Sequence, residues 1–159
     1  MEMGDPAMTG FQTLEQRTQS ILEEHRQIHF YLDQVEVTLN DLRGDLSDSE
    51  PMRRLAAQIE GLRERLVEHH EAEERGGLFE AILEIMPERR VEITRLINEH
   101  EKIIEVLEMA RIYAQCGDAD EADALRVDLR KFLEMFRSHE RSEDHLLQEA
   151  INRESESMA

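Results

Sequence analysis

The sequence predicts an all-α protein: an antiparallel up-down-up-down four-helix bundle in which one helical hairpin occurs twice. Apolar residues recur at three- and four-residue steps in four segments, about 12–42, 51–85, 88–115 and 120–152, which places them on one helix face in each. Glycine and proline fall almost entirely where this pattern pauses. Aromatic residues make up 4% with no tryptophan, too few for a sheet protein of 159 residues.

The elements follow in order. Residues 1–10, with Gly4, Pro6 and Gly10, read as a flexible start; residues 11–153 as the bundle; residues 154–159 as a flexible end. The first segment stops at RGDLSDSEP (43–51), where Ser47 and Glu50 have the spacing of a capping box that starts the second. Gly76-Gly77 reads as a local helix break that lets the chain re-aim toward Pro87. The third segment ends at CGDAD (116–120), where Asp118 and Glu121 offer the Asp variant of the same cap and Cys116 is a helix-end residue. Short loops between four helices make neighbours antiparallel.

Charge narrows the partners. With 37 acidic against 19 basic residues the net charge is −18, and phosphate backbones would be repelled, so nucleic acid is excluded. No apolar stretch approaches the roughly 20 residues of a membrane span, and the N-terminus has no secretory pattern. A single cysteine fits a reducing compartment, so a cytoplasmic location is expected.

The halves repeat each other. Around His25 stand Ile21, Leu22, Ile28, Leu32 and Val35; around His100 stand Leu96, Ile97, Ile103, Leu107 and Ala110 in the same register. Leu55, Ile59, Leu62 and Leu66 precede His69 as Leu125, Leu129, Phe132 and Phe136 precede His139, and Glu73 and Glu143 each follow their histidine by four.

His25, His69, His100 and His139 each have a large apolar residue three positions earlier (Leu22, Leu66, Ile97 and Phe136), so all four imidazoles are expected inside the bundle. His29 and His145 follow Arg26 and Ser142 instead, and His70, after Val67, is ambiguous. Counted outward from the loops at about 1.5 Å per residue, the four histidines meet in one layer to within about a turn, with Glu73 and Glu143 beside them. Burying such groups without a metal carries a large desolvation cost. The donor set suits iron, manganese or zinc, and six ligands with only two carboxylates suggest two metals sharing bridging oxygens. Ferritin-like sites place Glu three residues before His; none of the seven histidines has that, so the ferritin-like pattern is excluded. His70 with Glu74 keeps the spacing of His69 with Glu73, but the upstream apolar register favours His69. Tyr31 and Tyr113 fall off the ligand face, and the remaining Glu and Arg read as solvated surface.

The phrases EEHRQI (23–28), EHHEAEERGGLF (68–79), NEHEKI (98–103) and HERSEDHLLQEA (139–150) resemble the hemerythrin-like (HHE) cation-binding family over essentially residues 15–152. The second and fourth look like the subgroup with an EE-x-GG stretch and an LLQ-x-A stretch. The resemblance implies His25, His69, Glu73, His100, His139 and Glu143 as ligands of a non-haem di-iron centre, two iron ions with an oxo or hydroxo bridge and both glutamates bridging. The family's oxygen carriers have a further histidine four after the one on helix three; here Ile104 stands there, which departs from simple oxygen carriage. His29, four after His25, reads as core filler or surface, with a compensating ligand as the alternative.

With two histidines per iron, both glutamates and one bridge, each iron would keep one open position for O2, NO or peroxide; adding His29 would fill one iron and leave a single vacancy. Open positions of this kind point to sensing, storage, detoxification or iron handling. No other nucleophile or acid/base pair is suggested, so any reaction is redox chemistry at the metals. The alternative of another class is a metal-poor acidic helical module that docks a partner.

Overall fold

The computed structural model describes residues 13–42, 49–116 and 122–157. Ser47, Asp118, Glu121 and the expected flexible start lie outside these residues. The described residues form five α-helices and no strand: α1 (Leu14–Asp41), α2 (Ser49–Arg75), α3 (Leu78–Ile85), α4 (Arg90–Cys116) and α5 (Ala122–Ser157), with a 3₁₀ turn at Pro87–Arg89 leading into α4. No helix among them is long and apolar enough to cross a membrane.

Thr13 opens α1 through a complete capping box: its hydroxyl accepts from the Gln16 backbone N–H, and the Gln16 side chain accepts from the Thr13 backbone N–H. The fifth helix arises at Gly76-Gly77, which divides the segment 51–85 that the apolar period runs through. Gly77 has φ 76°, and a Cβ there would meet the Arg17 guanidinium; one on Gly76 would collide with the Ala72 backbone oxygen. Glycine is needed at both positions, by close approach at the first and by the left-handed backbone at the second. The break turns Leu78, Phe79 and Ile82 of α3 inward. Arg89 then ties the 3₁₀ turn to α5 through Glu149, at 2.6 Å. At the other end α5 continues through residues 154–157, beyond the boundary at 153.

Helix α1 packs on α2, α2 on α4, α4 on α5 and α5 back on α1, closing a ring, while α3 packs against α1, α2 and α5. The core is in two parts. One joins Ile28, Leu32 and Val35 of α1 with Leu55, Ile59 and Leu62 of α2, Ile103 and Leu107 of α4, and Leu125, Leu129 and Phe132 of α5. The other joins Leu14 and Ile21 with Phe79 and Ile82, Leu96, and Leu146 and Leu147. The second half of α1 therefore shares a layer with the first half of α2, the second half of α4 and the first half of α5. Burying each such side chain contributes about 1.5–3 kcal/mol, and the two apolar layers clamp whatever lies between them.

Replacing either glycine at the break tests that account. Gly77→Ala is expected to destabilise by about 1–2 kcal/mol, the cost of a left-handed L-residue, and Gly76→Ala to do so by steric contact. Thermal melts followed by circular dichroism check both, and an unchanged Tm in either variant contradicts the assigned backbone.

Candidate metal centre

Between the two apolar layers lies a polar one. His25, His69, His100, His139, Glu73 and Glu143 are all buried, each at most 4% exposed. The structure brings all six together. The apolar residue three positions earlier is fully buried for His69 (Leu66) and His139 (Phe136). For His25 and His100 the deeper neighbours are Ile21 and Leu96, four positions earlier, while Leu22 and Ile97 are half-buried. Both offsets share a helix face, so the expectation and the structure agree on which way the imidazoles turn.

The Nε2 atoms converge. Those of His25 and His69 are 3.0 Å apart. Glu73 sets Oε1 2.5 Å from His69 Nε2 and 3.6 Å from His25 Nε2, and Oε2 3.1 Å from His100 Nε2. Glu143 sets Oε1 2.6 Å from His139 Nε2 and 3.2 Å from His100 Nε2, and Oε2 3.3 Å from His25 Nε2. Each carboxylate thus offers one oxygen to the His25 side and one to the His100 side. Both Glu73 oxygens and His139 Nε2 are buried without a hydrogen bond of good geometry. Inward-aimed nitrogens and oxygens left in this state fit metal ions better than one another.

The outer nitrogens are held by a second set of carboxylates. His25 Nδ1 donates to Asp144 at 2.9 Å, His69 Nδ1 to Glu24 at 2.6 Å and His139 Nδ1 to Glu99 at 2.7 Å. His100 Nδ1 lies 3.9 Å from Glu74. Such partners keep the proton on Nδ1 and leave the Nε2 lone pair free for a metal. Glu24 and Glu99 precede the histidines of α1 and α4, and Glu74 and Asp144 follow the inner glutamates, so these four obey the duplication too. They correct the reading of every remaining acid as solvated surface. Glu-His in one helix of each hairpin and Glu-Glu or Glu-Asp in the other was the signal available.

His69, favoured by the apolar register, is inside, and so is the ambiguous His70. His70 is 4% exposed, stacks on His100 with centroids 3.8 Å apart, and has no hydrogen-bond partner at either nitrogen. The nitrogens of His70, His100 and His139 form one group able to hold a metal, and the atoms of His25, His69, Glu73 and Glu143 form another. Glu74 stays at the rim. His29 pairs with Glu140, and His145 is exposed. A groove of about 500 Å³ between α2 and α4, lined among others by Val67, His70, His100 and Ile104, reaches the centre from outside.

Burial pushes the His25 imidazole down, but Asp144, Glu143 and Glu73 outweigh it and raise it to about 12. Burial likewise opposes His69, which Glu24 and Glu73 raise to about 9, and His100, which Glu143 and Glu73 raise to about 9. Glu73 is pushed up by burial and by Glu143, yet His100, His25 and His69 bring it down to about 2. Glu143, against its own burial, is held well below the carboxylate range by His100, His139 and His25. His70 goes the other way, lowered to about 3 by burial and by the charge of His100. Two buried carboxylates are therefore neutralised by cations at the same place, either protons on imidazoles or metal ions.

The model of the hemerythrin HHE cation-binding domain matches residues 16–151. The chain belongs to the hemerythrin HHE cation-binding family. No characterised protein and no solved structure matches the chain closely enough to add a relative. As an HHE domain it is a cation-binding protein, and its described residues contain the histidine and carboxylate groups to bind one.

Two outcomes are expected. His69→Ala or His139→Ala lowers the metal content, while His145→Ala leaves it unchanged; elemental analysis decides, and equal loss in all three contradicts the placement. Metal must also displace protons from imidazoles raised to about 9 and about 12, so affinity climbs as pH rises through neutrality toward about 9 and falls in acid. Net proton release on metal addition at neutral pH, read by calorimetry in buffers of unlike ionisation enthalpy, checks the sign.

Proposed function

We propose that this HHE domain holds two iron ions between His25, His69, His100 and His139, bridged by Glu73, Glu143 and an oxo or hydroxo group, and that the pair binds O2, NO or peroxide. The reading rests above all on the two inner carboxylates, each of which turns one oxygen to each side of the histidine layer. A single metal needs no such division. Iron supplies reversible redox chemistry and an affinity for diatomic ligands; the chain supplies nitrogen donors fixed by Asp144, Glu24 and Glu99, and apolar layers that keep bulk water out.

In this reading the four long helices alternate in direction, up-down-up-down, with α3 as an inserted cover. The shared core layer of second and first helix halves supports that alternation. A single cysteine supports a cytoplasmic location. The available roles are sensing, storage, detoxification or iron handling.

Iron-loaded protein is expected to carry two irons per chain and an oxo-to-iron absorption near the ultraviolet. Stopped-flow spectra of the reduced protein mixed with O2, NO and peroxide then identify the ligand. Colourless protein that retains no metal would favour the acidic interaction module instead. Iron should also raise Tm, since it binds the folded chain alone, while the chain without iron keeps its helicity through the two apolar layers. Identical melting curves with and without iron would count against a buried centre.

A further inference from the structure

On the flank where α1 meets α5 stands a set of donors that the six-residue centre leaves out. Residues four apart share a helix face, so His25 and His29 stand together on α1, and Glu140 and Asp144 on α5. The two pairs meet across the helix boundary. His25 Nδ1 lies 2.9 Å from Asp144, and His29 Nε2 is in contact with Glu140 Oε1. One donor atom each from His25, Glu140 and Asp144 lies within 4.8 Å of the others. His25 turns its Nε2 to Glu73 and Glu143, so its outer nitrogen is what joins the flank to the centre.

An ordinary ion pair accounts for only part of this set. His29 engages Oε1 of Glu140, whereas Oε2 is buried with no hydrogen-bond partner. The Glu140 side chain is 8% exposed, while those of His29 and Asp144 are 44% and 42% exposed. A buried carboxylate oxygen left without a partner is costly, and here it lies beside donors that reach solvent. The duplicate flank offers no such set. By the register that pairs His69 with His139, Glu140 corresponds to His70 and Asp144 to Glu74; by the register that pairs His25 with His100, His29 corresponds to Ile104. Isoleucine has no donor, and His70 is stacked on His100 within the layer.

We propose that His29, Glu140 and Asp144 form a separate, solvent-facing site for one divalent first-row cation, such as Zn2+ or Fe2+, on the α1 and α5 flank. Glu140 supplies the fixed donor, since burial holds it in place. His29 and Asp144, both half-exposed, close on the ion by side-chain rotation. One imidazole with two carboxylates favours a transition metal over magnesium, which prefers oxygen and keeps its water. A divalent charge balances both carboxylates at once, and the free oxygen of Glu140 gains its partner. Three protein donors leave positions for water, so this ion exchanges with solution while the buried centre retains its own. Asp144 also holds His25 Nδ1, whereas His29 and Glu140 belong to the flank alone.

The test uses the full-length, iron-loaded, oxidised protein with zinc as probe, followed by calorimetry, elemental analysis and zinc-edge X-ray absorption. The wild type should take up one zinc per chain with its iron content unchanged, and the absorption edge should show one imidazole among oxygen donors. Excess magnesium should not displace it. Glu140→Gln, which keeps the shape and removes the charge, and His29→Ala, at a half-exposed position, should each weaken zinc binding at least tenfold while keeping the wild-type iron content and helicity. A wild type that takes up no zinc would show the His29 and Glu140 contact to be an ion pair only and overturn the site. Equal zinc uptake in the wild type and both variants would overturn it too. The site does not depend on the di-iron reading: if the chain loads no iron pair, that reading falls, and metal-free wild type should still bind one zinc more than Glu140→Gln.

Discussion

Two buried glutamates facing one set of imidazoles impose the constraint on which the rest of this structure depends. Burial raises the proton affinity of both Glu73 and Glu143, and Glu143 raises that of Glu73 further. Left alone, either would take up a proton and leave the layer without its charge. The histidines reverse that outcome by bringing positive charge, first as protons and in the proposed function as metal ions. A cationic centre of this kind gains from enclosure, since water would screen it and compete for every donor. The two apolar layers, the cover formed by α3 and the outer carboxylates are parts of that enclosure.

The enclosure also gives some of the acids a role. Four half-buried acids, Glu24, Glu74, Glu99 and Asp144, stand behind the inner histidines. Their charges favour any cation in the layer and fix ring orientation at the same time, so they serve binding and geometry together. Other acids pair with arginine along a single helix, as with Glu23 and Arg26, where exposure makes the pair worth little.

Most of the fold and six residues of the centre were legible because helical periodicity and the duplication point to the same positions. Leu66 before His69 and Phe136 before His139 orient those side chains by local packing alone. Periodicity has a fixed resolution, however. It allots about one residue per turn to the inner face, and so it treated His69 and His70 as rivals. Helix α2 touches both α1 and α4, which widens its inner sector, and two neighbours about 100° apart on the helix can both point inward. Gly76-Gly77 shows the same limit: the apolar period runs through it, so a break could be read from the glycines but a separate fifth helix could not. The outer carboxylates were missed because a half-buried acid looks like a surface acid until its partner across the bundle is known.

Duplication followed by divergence leaves a scaffold with two equivalent halves, and equivalence is a chemical limitation. Two identical metal environments share their charge and their vacancies evenly, so neither is specialised for a ligand. Breaking the symmetry in the six-residue set would disturb the bridging carboxylates and the charge balance that permits burial. Positions 70 and 140 avoid that difficulty. They flank the set, on helices whose register the apolar layers already fix, and they can carry different donors without moving Glu73 or Glu143. Histidine at one and glutamate at the other, with Glu140 held by His29 and His70 held by nothing outside the centre, place the chemical difference where the fold tolerates it best. The asymmetry at the centre therefore belongs to the side chains.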